Sequence, residues 1–269
     1  MIKLVNRYLD AAPRPDSDAI AAGAFTLFVG RAPWAYYARP AVGLDRPIGS
    51  ADVEILAAMC AEHEVALQIE WVGEVCPELQ RVAGEFGLGV HSHALLVADA
   101  RRVSHADVDG VEIRIAGWED PGLVTGRAVA DVAFRYGGTG TGVPCVAERD
   151  AVRRSLSSEV VAHLLYRAES GLTVTAVAEE DPNGVLATGA YQPVAEAAEV
   201  VAVATLPCAR RRGIAGALTA RLASDAVAQG VTTLLVSAQN DDVARIYERA
   251  GFRRIGVAFA AQAAEPPGG

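Results

Sequence analysis

The sequence predicts an α/β (α+β) protein made of two successive domains, each a mixed, largely antiparallel sheet flanked by helices. Apolar runs of strand length alternate with amphipathic helical runs along most of the chain. A cationic turn at residues 207–213 connects one such strand directly to the start of a helix. The spacing Arg-x-x-Gly-x-Ala occurs at residues 46–51 and again at 210–215, an offset of 164 residues (210 − 46) that indicates an internal duplication.

The overall composition restricts the classes of partner. The 269 residues carry a formal net charge of −9, which argues against a nucleic-acid-binding surface. The longest apolar run, Ala19 to Val29, is too short to cross a bilayer. Three aspartates precede this run, which is not the order of a signal peptide. We therefore expect a cytoplasmic protein without nucleic-acid or membrane partners, and the sequence leaves its oligomeric state open.

The chain has four cysteines, Cys60, Cys76, Cys145 and Cys208. They show neither metal-ligand spacing nor a disulfide framework, so we expect free and mostly buried thiols. His91 and His93 alternate on a predicted strand and therefore share a face. With no third ligand nearby in the sequence, we predict no metal site.

The first domain is predicted to span residues 1–110, and its pattern is clearest from residue 52 onwards. Before that point, residues 19–29 have the character of a strand, and we expect the aromatic cluster at 33–40 to pack against the core. The later elements are a helix at 52–64, a strand at 66–72, a helix at 77–86 closed by Gly87, and a strand at 90–98. The polar stretch 99–109 is a plausible linker.

The second domain is predicted at residues 111–260, and a disordered tail at 261–269. Its pattern gives a strand at 111–116, a helix at 121–136, one amphipathic helix at 148–167, a hairpin at 173–178 and 185–191, and a strand at 199–206. A helix from residue 213, a strand at 231–238, a helix ending at Gly251 and a strand at 255–259 complete it. The glycine-rich run 137–142 follows a helix, so it lacks the context of a nucleotide-binding loop.

The stretch from Val201 to Leu218 carries the clearest chemical signal. A buried strand ends at Pro207, and three arginines followed by Gly213 lead into a helix. Free N–H groups and the helix dipole at such a start bind phosphate. A P-loop would require Lys and Ser or Thr after its last glycine, and a dinucleotide fingerprint requires three glycines and a distant acid. Neither pattern is present.

The loop resembles that of the GNAT N-acetyltransferases, whose pyrophosphate-binding pattern is Gln/Arg-x-x-Gly-x-Gly/Ala. Arg210, Gly213 and Ala215 fill its defined positions. A second block of the same family is Asn, Tyr seven residues on, and Gly-Phe four residues after that. Asn240, Tyr247 and the pair Gly251-Phe252 match this block. The resemblance implies two tandem GNAT-like domains and acetyl-CoA as cosubstrate, bound where the strand before the loop separates from the strand after its helix.

The resemblance also implies roles for individual residues. Tyr247 would protonate the leaving thiolate and touch the cofactor, and a main-chain N–H near Val203 would stabilise the oxyanion. The resemblance does not assign the base. Glu199 lies early on the strand beside the cofactor and would accept the proton of the amine, with Glu196 or a water chain as alternatives; both glutamates could also be surface carboxylates at strand ends. The cofactor-binding residues would be Val203, Ala204 and Thr205 for the pantetheine, Arg210, Arg211, Arg212, Gly213, Ile214, Ala215, Gly216 and Ala217 for the diphosphate, and Asn240 with Tyr247 beside them.

The duplicated loop of the first domain lacks features that catalysis would need. Subtracting 164 from Asn240 and Tyr247 gives Cys76 and Ala83. Pro47 removes one amide donor from the loop. Asp52 and Glu54 place negative charge at the helix start, where they would repel a diphosphate. We therefore expect a degenerate GNAT-like domain without catalytic activity.

The sequence does not identify the acceptor, which would be an amine of a small molecule or a peptide. Its pocket is expected from residues 136–170, with Tyr136, Tyr166 and Tyr191 as possible lining residues. Two other functions stay open at this point. The chain could be a CoA-binding sensor without turnover, or a scaffold whose two halves only mediate assembly.

Overall fold

The computed structural model describes residues 1–31 and 37–263. Its chain divides into two compact units, one formed by Met1–Leu95 with Ile255–Gly269 and the other by Leu96–Arg254. We call these unit 1 and unit 2. The predicted domains 1–110 and 111–260 differ from this division, because the last strand of the chain packs within unit 1. None of the helices described is long and apolar enough to span a membrane.

In its described residues, unit 1 contains a mixed set of parallel and antiparallel strands and three α-helices. Its strand order is β1-β2-β3-β4-β11-β5. Its elements are α1 (Ile2–Ala11), β1 (Ser17–Ala22), β2 (Phe25–Gly30), β3 (Ala38–Pro40), α2 (Ser50–Glu62), β4 (Gln68–Val72), α3 (Leu79–Glu85), β5 (Leu88–Asp99) and β11 (Arg253–Ala263). The division between the units falls within β5 and near the start of β11. Strands β3 and β4 are parallel, and β11 runs antiparallel to β4.

The strands of unit 2 lie in the order β10-β9-β8-β7-β6, with β5 next to β10. Its elements are β6 (Glu112–Ala116), α4 (Pro121–Arg135), α5 (Val146–Ser155), α6 (Ser158–Glu169), β7 (Val174–Glu180), β8 (Gly184–Val194), β9 (Ala197–Thr205), α7 (Ile214–Ala228), β10 (Thr233–Ala238) and α8 (Asp241–Arg249). Strands β6 to β9 form an antiparallel meander, and β10 is parallel to β9.

Helices α4 and α7 cover opposite faces of β8, and small residues let them approach closely. A Cβ on Gly126 of α4 would lie 2.7 Å from Thr188 Oγ1. A Cβ on Gly189 would lie 3.2 Å from Leu222 Cδ1 of α7. Because neighbouring residues of a strand face opposite sides, these two contacts place one helix on each side of the sheet.

The observed elements follow the predicted duplication. Adding 164 to the start of α2 at Ser50 gives residue 214, where α7 begins. The same sum moves α3 to residues 243–249, within α8, and moves β5 to 252–263, one residue longer than β11. The prediction of a tandem arrangement with mixed sheets is therefore confirmed at the level of helices and strands.

Several predicted elements differ from the structure. The helix predicted at 148–167 is two helices, because the chain is extended at Leu156 and Ser157 caps α6 by accepting a hydrogen bond from Val160 N at 3.2 Å. The strand predicted at 19–29 is a hairpin that turns at Gly23, whose φ is +61°. The helix α1 was not predicted. Residues 261–263 of the predicted tail belong to β11, while 264–269 and residues 32–36 of the aromatic cluster lie outside the described residues.

The core of unit 1 includes a contact made by the last strand. Phe259 of β11 stacks on the buried Trp71 of β4 with ring centroids 5.1 Å apart. The Phe259 ring also fits against Gly73, where a Cβ would approach its Cε2 atom to 2.6 Å. The glycine is therefore required at this position by the ring that packs over it.

We predict that Phe259→Ala lowers the free energy of unfolding by about 2 kcal/mol, because it removes a partly buried ring and leaves Trp71 without its stacking partner. Denaturant unfolding followed by tryptophan fluorescence measures this. The exposed Arg253 at the start of the same strand supplies the control, since Arg253→Ala should change stability by less than about 0.5 kcal/mol. Equal stability of the two variants would contradict the packing described for β11.

Candidate active site

Pairing between β9 and β10 of unit 2 stops partway along both strands, and we call the unpaired stretch beyond the last pair the cleft. The two strands are paired in parallel at three positions, Thr233 with Ala197, Leu234 with Ala198 and Leu235 with Glu199. Both strands continue beyond the last pair, β9 to Thr205 and β10 to Ala238, but the pairing does not. The facing main-chain groups beyond Glu199 and Leu235 therefore lack a strand partner, although Thr205 O accepts a hydrogen bond from Arg210 Nε at 3.2 Å. Such groups can bind an extended ligand.

A β-bulge interrupts β9 beside this cleft. Thr188 of β8 pairs with Ala204 and Ala190 pairs with Val201, so Ala202 and Val203 both lie opposite Gly189. Ala202 has a φ of +54°, in the left-handed region. Such a bulge re-aims main-chain groups away from the ladder. It stands at the position where an oxyanion-binding N–H was predicted.

The cationic turn after β9 leaves its main-chain donors uncapped. Arg211 has a φ of +67°, and Gly213, the residue that precedes α7, has a φ of +86°. The amides of residues 211–213 donate to no acceptor within the part of the chain that the structure describes, and no side chain caps α7. Three successive donors beside a helix N-terminus form a concave site for an anion.

The three arginines of this turn have different surroundings. The Arg210 guanidinium donates to the carbonyl oxygens of Ala133 (2.9 Å), Gly137 (2.8 Å), Gly140 (3.1 Å) and Thr205 (3.2 Å). Its side chain therefore holds the glycine-rich loop 137–142 against the end of β9, and burial lowers its pKa. Arg212 forms an ion pair with Glu180. Arg211 is exposed and has no ion-pair partner among the described residues.

A disulfide ties the same region together and corrects one prediction. Cys145, which precedes α5, is bonded to Cys208 with an S–S distance of 2.00 Å, so these two residues are not free thiols. Cys208 N also donates to Pro144 O at 3.2 Å. The pair is 63 residues apart in sequence, and only the fold brings the sulfurs together. Cys60 and Cys76 are free and buried, as expected.

Tyr247 of α8 lies inside unit 2 and is 6% exposed. Its ring contacts Phe252 edge-on, with centroids 5.5 Å apart. Burial raises the pKa of the Tyr247 phenol, and the negative charge of Glu199 raises it further. The phenol therefore stays protonated at neutral pH and can act as a donor. Glu199 belongs to the last paired position before the cleft, so the structure brings the two predicted catalytic residues into one region.

Two other predicted residues have structural partners. The Asn240 side chain caps α8, with Oδ1 accepting a hydrogen bond from Val243 N at 3.0 Å, which leaves its amide group as a donor. Tyr191 is fully buried, and its hydroxyl donates to Asp225 at 2.8 Å. It therefore does not line an acceptor pocket as proposed from the sequence. Tyr136 and Tyr166 are exposed.

One residue beside the loop was not anticipated. His105, in the segment between β5 and β6, places its ring against the start of α7. A Cβ on Gly216 would lie 2.3 Å from His105 Cδ2, and one on Gly213 would lie 3.2 Å from His105 Cε1. The sequence marked this stretch only as a linker. Gly216 was the one sign of this contact in the sequence. A glycine in the first turn of a helix often indicates that another part of the chain packs closely against the helix there.

The sequence of this region matches a known family. Residues 171–254 match the profile of the acetyltransferase (GNAT) domain. This stretch is a GNAT domain. It includes β7 to α8 and therefore the cleft, the bulge, the cationic turn and Tyr247. No curated protein is similar enough in sequence to match the chain.

Solved structures extend the likeness to the whole chain. A GCN5-related N-acetyltransferase from Kribbella flavida covers 100% of this chain and 96% of its own, with a TM-score of 0.73 and 20% identity. A tandem GNAT protein from the clavulanic acid biosynthesis pathway covers 98% of this chain and 88% of its own, with a TM-score of 0.59 and 14% identity. The chain therefore has the fold of a tandem GNAT protein, with the GNAT domain in its second half.

The related loop of unit 1 is closed by its own side chains. Asp52 accepts from Gly49 N at 2.9 Å and forms a bidentate pair with Arg46, at 2.7 and 2.8 Å. Glu78 accepts from Ile48 N at 3.1 Å. In the GNAT domain the residue related to Asp52 by the duplication is Gly216 (52 + 164), which has no side chain. The duplicated loop thus carries internal carboxylates where the GNAT domain leaves its amides open.

The hydrogen bond from Arg46 holds the pKa of Asp52 at about 2, below the ordinary aspartate value. Because the pKa of Asp52 is lower in the folded protein than in the unfolded chain, its charge stabilises the fold at pH values above about 4, the unfolded pKa. This contribution disappears as the pH falls towards 2. We predict that Asp52→Asn destabilises the protein by about 1 kcal/mol at pH 7 and by much less at pH 2.5.

Urea unfolding at both pH values measures this difference. Glu54→Gln, an exposed change on the same helix, is the control and should have nearly the same small effect at both. If Asp52→Asn cost as much at pH 2.5 as at pH 7, the charged pair would not be the source of its stability.

Proposed function

We propose that the protein is an acetyl-CoA-dependent N-acetyltransferase that acetylates an amine of a small molecule or a peptide by direct attack. The observation that carries this proposal is the opening between β9 and β10 in the GNAT domain, with a bulge on one side and uncapped amides at its end. A thioester with a long extended arm and a diphosphate needs an N–H near the thioester, an unpaired strand along the arm and free amides at the diphosphate. The bulge, the unpaired end of β9 and the turn before α7 follow one another in this order along the chain. The negative charge of Glu199 raises the pKa of the Tyr247 phenol, which supports the assignment of the two proton transfers to this pair of residues.

The cofactor would be held mainly by main-chain groups. The pantetheine would bind along Val203, Ala204 and Thr205, which lie at and after the bulge, where β9 no longer pairs with β10. The buried hydroxyl of Thr205 has no hydrogen-bond partner among the residues that the structure describes, so this strand end retains an unused polar group. The diphosphate would bind at residues 211–217, where the amides of the turn and the α7 N-terminus converge. The Arg210 side chain would shape this loop without touching the ligand.

The chemistry requires a nucleophile, an oxyanion site and two proton transfers. The thioester supplies an electrophilic carbonyl with a thiolate as leaving group. The neutral acceptor amine would form the C–N bond while the bulge near Val203 donates an N–H to the developing oxyanion. Tyr247 would give its proton to the departing sulfur as the C–S bond breaks. Glu199 would receive, directly or through water, the proton that the attacking nitrogen loses as the tetrahedral intermediate becomes the amide, and the Tyr247 phenolate would be reprotonated from solvent.

The structure suggests how the acceptor side is organised. The loop at 137–142 is fixed to the end of β9 by Arg210, and the Cys145–Cys208 disulfide fixes the next segment to the turn. The segment before α5 would therefore form a stable wall beside the thioester. The acidic chain favours a cationic acceptor by long-range attraction, which agrees with an amine substrate.

We predict that Tyr247→Phe lowers kcat by about 100-fold because the leaving thiolate loses its proton donor, while acetyl-CoA affinity changes by no more than about threefold. Thiol release with a panel of primary amines measures turnover, and calorimetry measures binding. Tyr37→Phe, which removes a phenol hydroxyl from unit 1, is the matched control and should behave like the wild type. Tight binding without turnover for any amine would instead favour a CoA-binding sensor.

A second prediction tests the anion site by copying unit 1 into the GNAT domain. Gly216→Asp places a carboxylate at the position of Asp52, where it can occupy the amide of Gly213 and repel a diphosphate. We expect acetyl-CoA affinity to fall by about 100-fold. Gly216→Ala controls for the added Cβ, because the His105 ring must shift in both variants. Equal losses in the two variants would argue that the diphosphate binds elsewhere.

A further inference from the structure

The diphosphate site of the proposed function has one side chain beside it whose role is not yet explained. His105 lies against Gly213 and Gly216, the residues that begin α7. Its Nδ1 atom is 2.7 Å from Ala106 O, a carbonyl that can only accept a hydrogen bond. Nδ1 therefore carries a hydrogen, and Nε2 is the nitrogen left to interact with the surroundings.

The Nε2 atom faces the start of the helix. A Cβ built on Gly216 would be 2.6 Å from Nε2, and one built on Gly213 would be 3.7 Å from it. The ring therefore occupies the space that a side chain at residue 216 would take. In unit 1 the related space is taken by the Asp52 carboxylate, which fills the anion site from within. In unit 2 the space related to that of the Asp52 carboxylate holds the His105 imidazole, a group that can become a cation.

The described residues that contact the His105 ring carry no negatively charged side chain that would compete with an anion. Gly213 and Gly216 have no titratable side chain, Val108 is apolar, and the Ala106 partner is a main-chain carbonyl. The charged residues closest in sequence are Asp107 on the His105 segment and Arg211 with Arg212 in the turn. Neutral imidazole with its hydrogen on Nδ1 would present a lone pair to a diphosphate, whereas imidazolium presents an N–H.

We infer that His105 is a diphosphate-binding residue that takes up a proton at Nε2 when acetyl-CoA binds. The inference rests on the proposed function, since it concerns the same site. It adds a side chain from outside residues 171–254 to a site that is otherwise built from main-chain amides. A histidine gains a proton readily in the physiological range, and a bound dianion stabilises the charged form. The affinity for acetyl-CoA is thereby linked to protonation.

Calorimetry with acetyl-CoA at pH 7, in two buffers with different ionisation enthalpies, tests the inference because it counts the protons taken up. The wild type should take up about half a proton more than His105→Ala. His105→Ala should also bind about tenfold more weakly, because it loses a charge-assisted hydrogen bond. His105→Lys should retain affinity within about threefold without the extra proton uptake, since its charge is permanent.

The control is His91→Ala, which removes an exposed histidine of unit 1 and should match the wild type in affinity and proton uptake. If His105→Ala bound like the wild type with the same proton uptake, the inference would be wrong. Tighter binding by His105→Ala would also overturn it, since the ring would then compete with the diphosphate. If the wild type itself did not bind acetyl-CoA, the proposed function would fail together with the inference, and this result is distinct from the others.

Discussion

The separation of β9 from β10 is the constraint on which the candidate site depends. Parallel strands normally satisfy each other's main-chain groups along their full length. Here pairing with β10 stops at Glu199 and Leu235, and the bulge leaves Ala202 and Val203 opposite the single residue Gly189 on the β8 side. The exposed N–H and C=O groups require partners, which water provides until an extended ligand replaces it. The unpaired strand end is therefore a cost to the fold, and it is the surface on which we propose that acetyl-CoA binds.

The two units show how one local pattern leads to opposite outcomes. Residues 46–51 and 210–215 share the spacing Arg-x-x-Gly-x-Ala, and both lead into helices that begin at related positions. In unit 1 the carboxylates of Asp52 and Glu78 satisfy the loop amides, and Arg46 neutralises Asp52. In unit 2 a glycine takes the place of Asp52, and the amides stay available. A capped helix start gains stability, whereas an uncapped one keeps its capacity to bind anions.

The first arginine of the Arg-x-x-Gly-x-Ala pattern makes different contacts in the two units, so its position in the pattern does not determine its role. Arg46 and Arg210 are related by the duplication, yet one pairs with a carboxylate and the other with four carbonyl oxygens. In unit 2 this arrangement, together with the Cys145–Cys208 disulfide, attaches a glycine-rich loop and the α5 start to the turn. Rigid support of this kind is what a site built from main-chain donors needs, because its geometry is set by the backbone alone.

The sequence by itself determined the order of most helices and strands, the tandem duplication, and the positions of the loop and of Tyr247. These features depend on local periodicity and on spacing along the chain, which are written directly in the residues. Only the tertiary structure decided that β11 packs in unit 1, that Cys145 meets Cys208, and that His105 lies against α7. Each of these is a contact between residues far apart in sequence, and its formation depends on how the intervening elements pack, which local patterns do not encode.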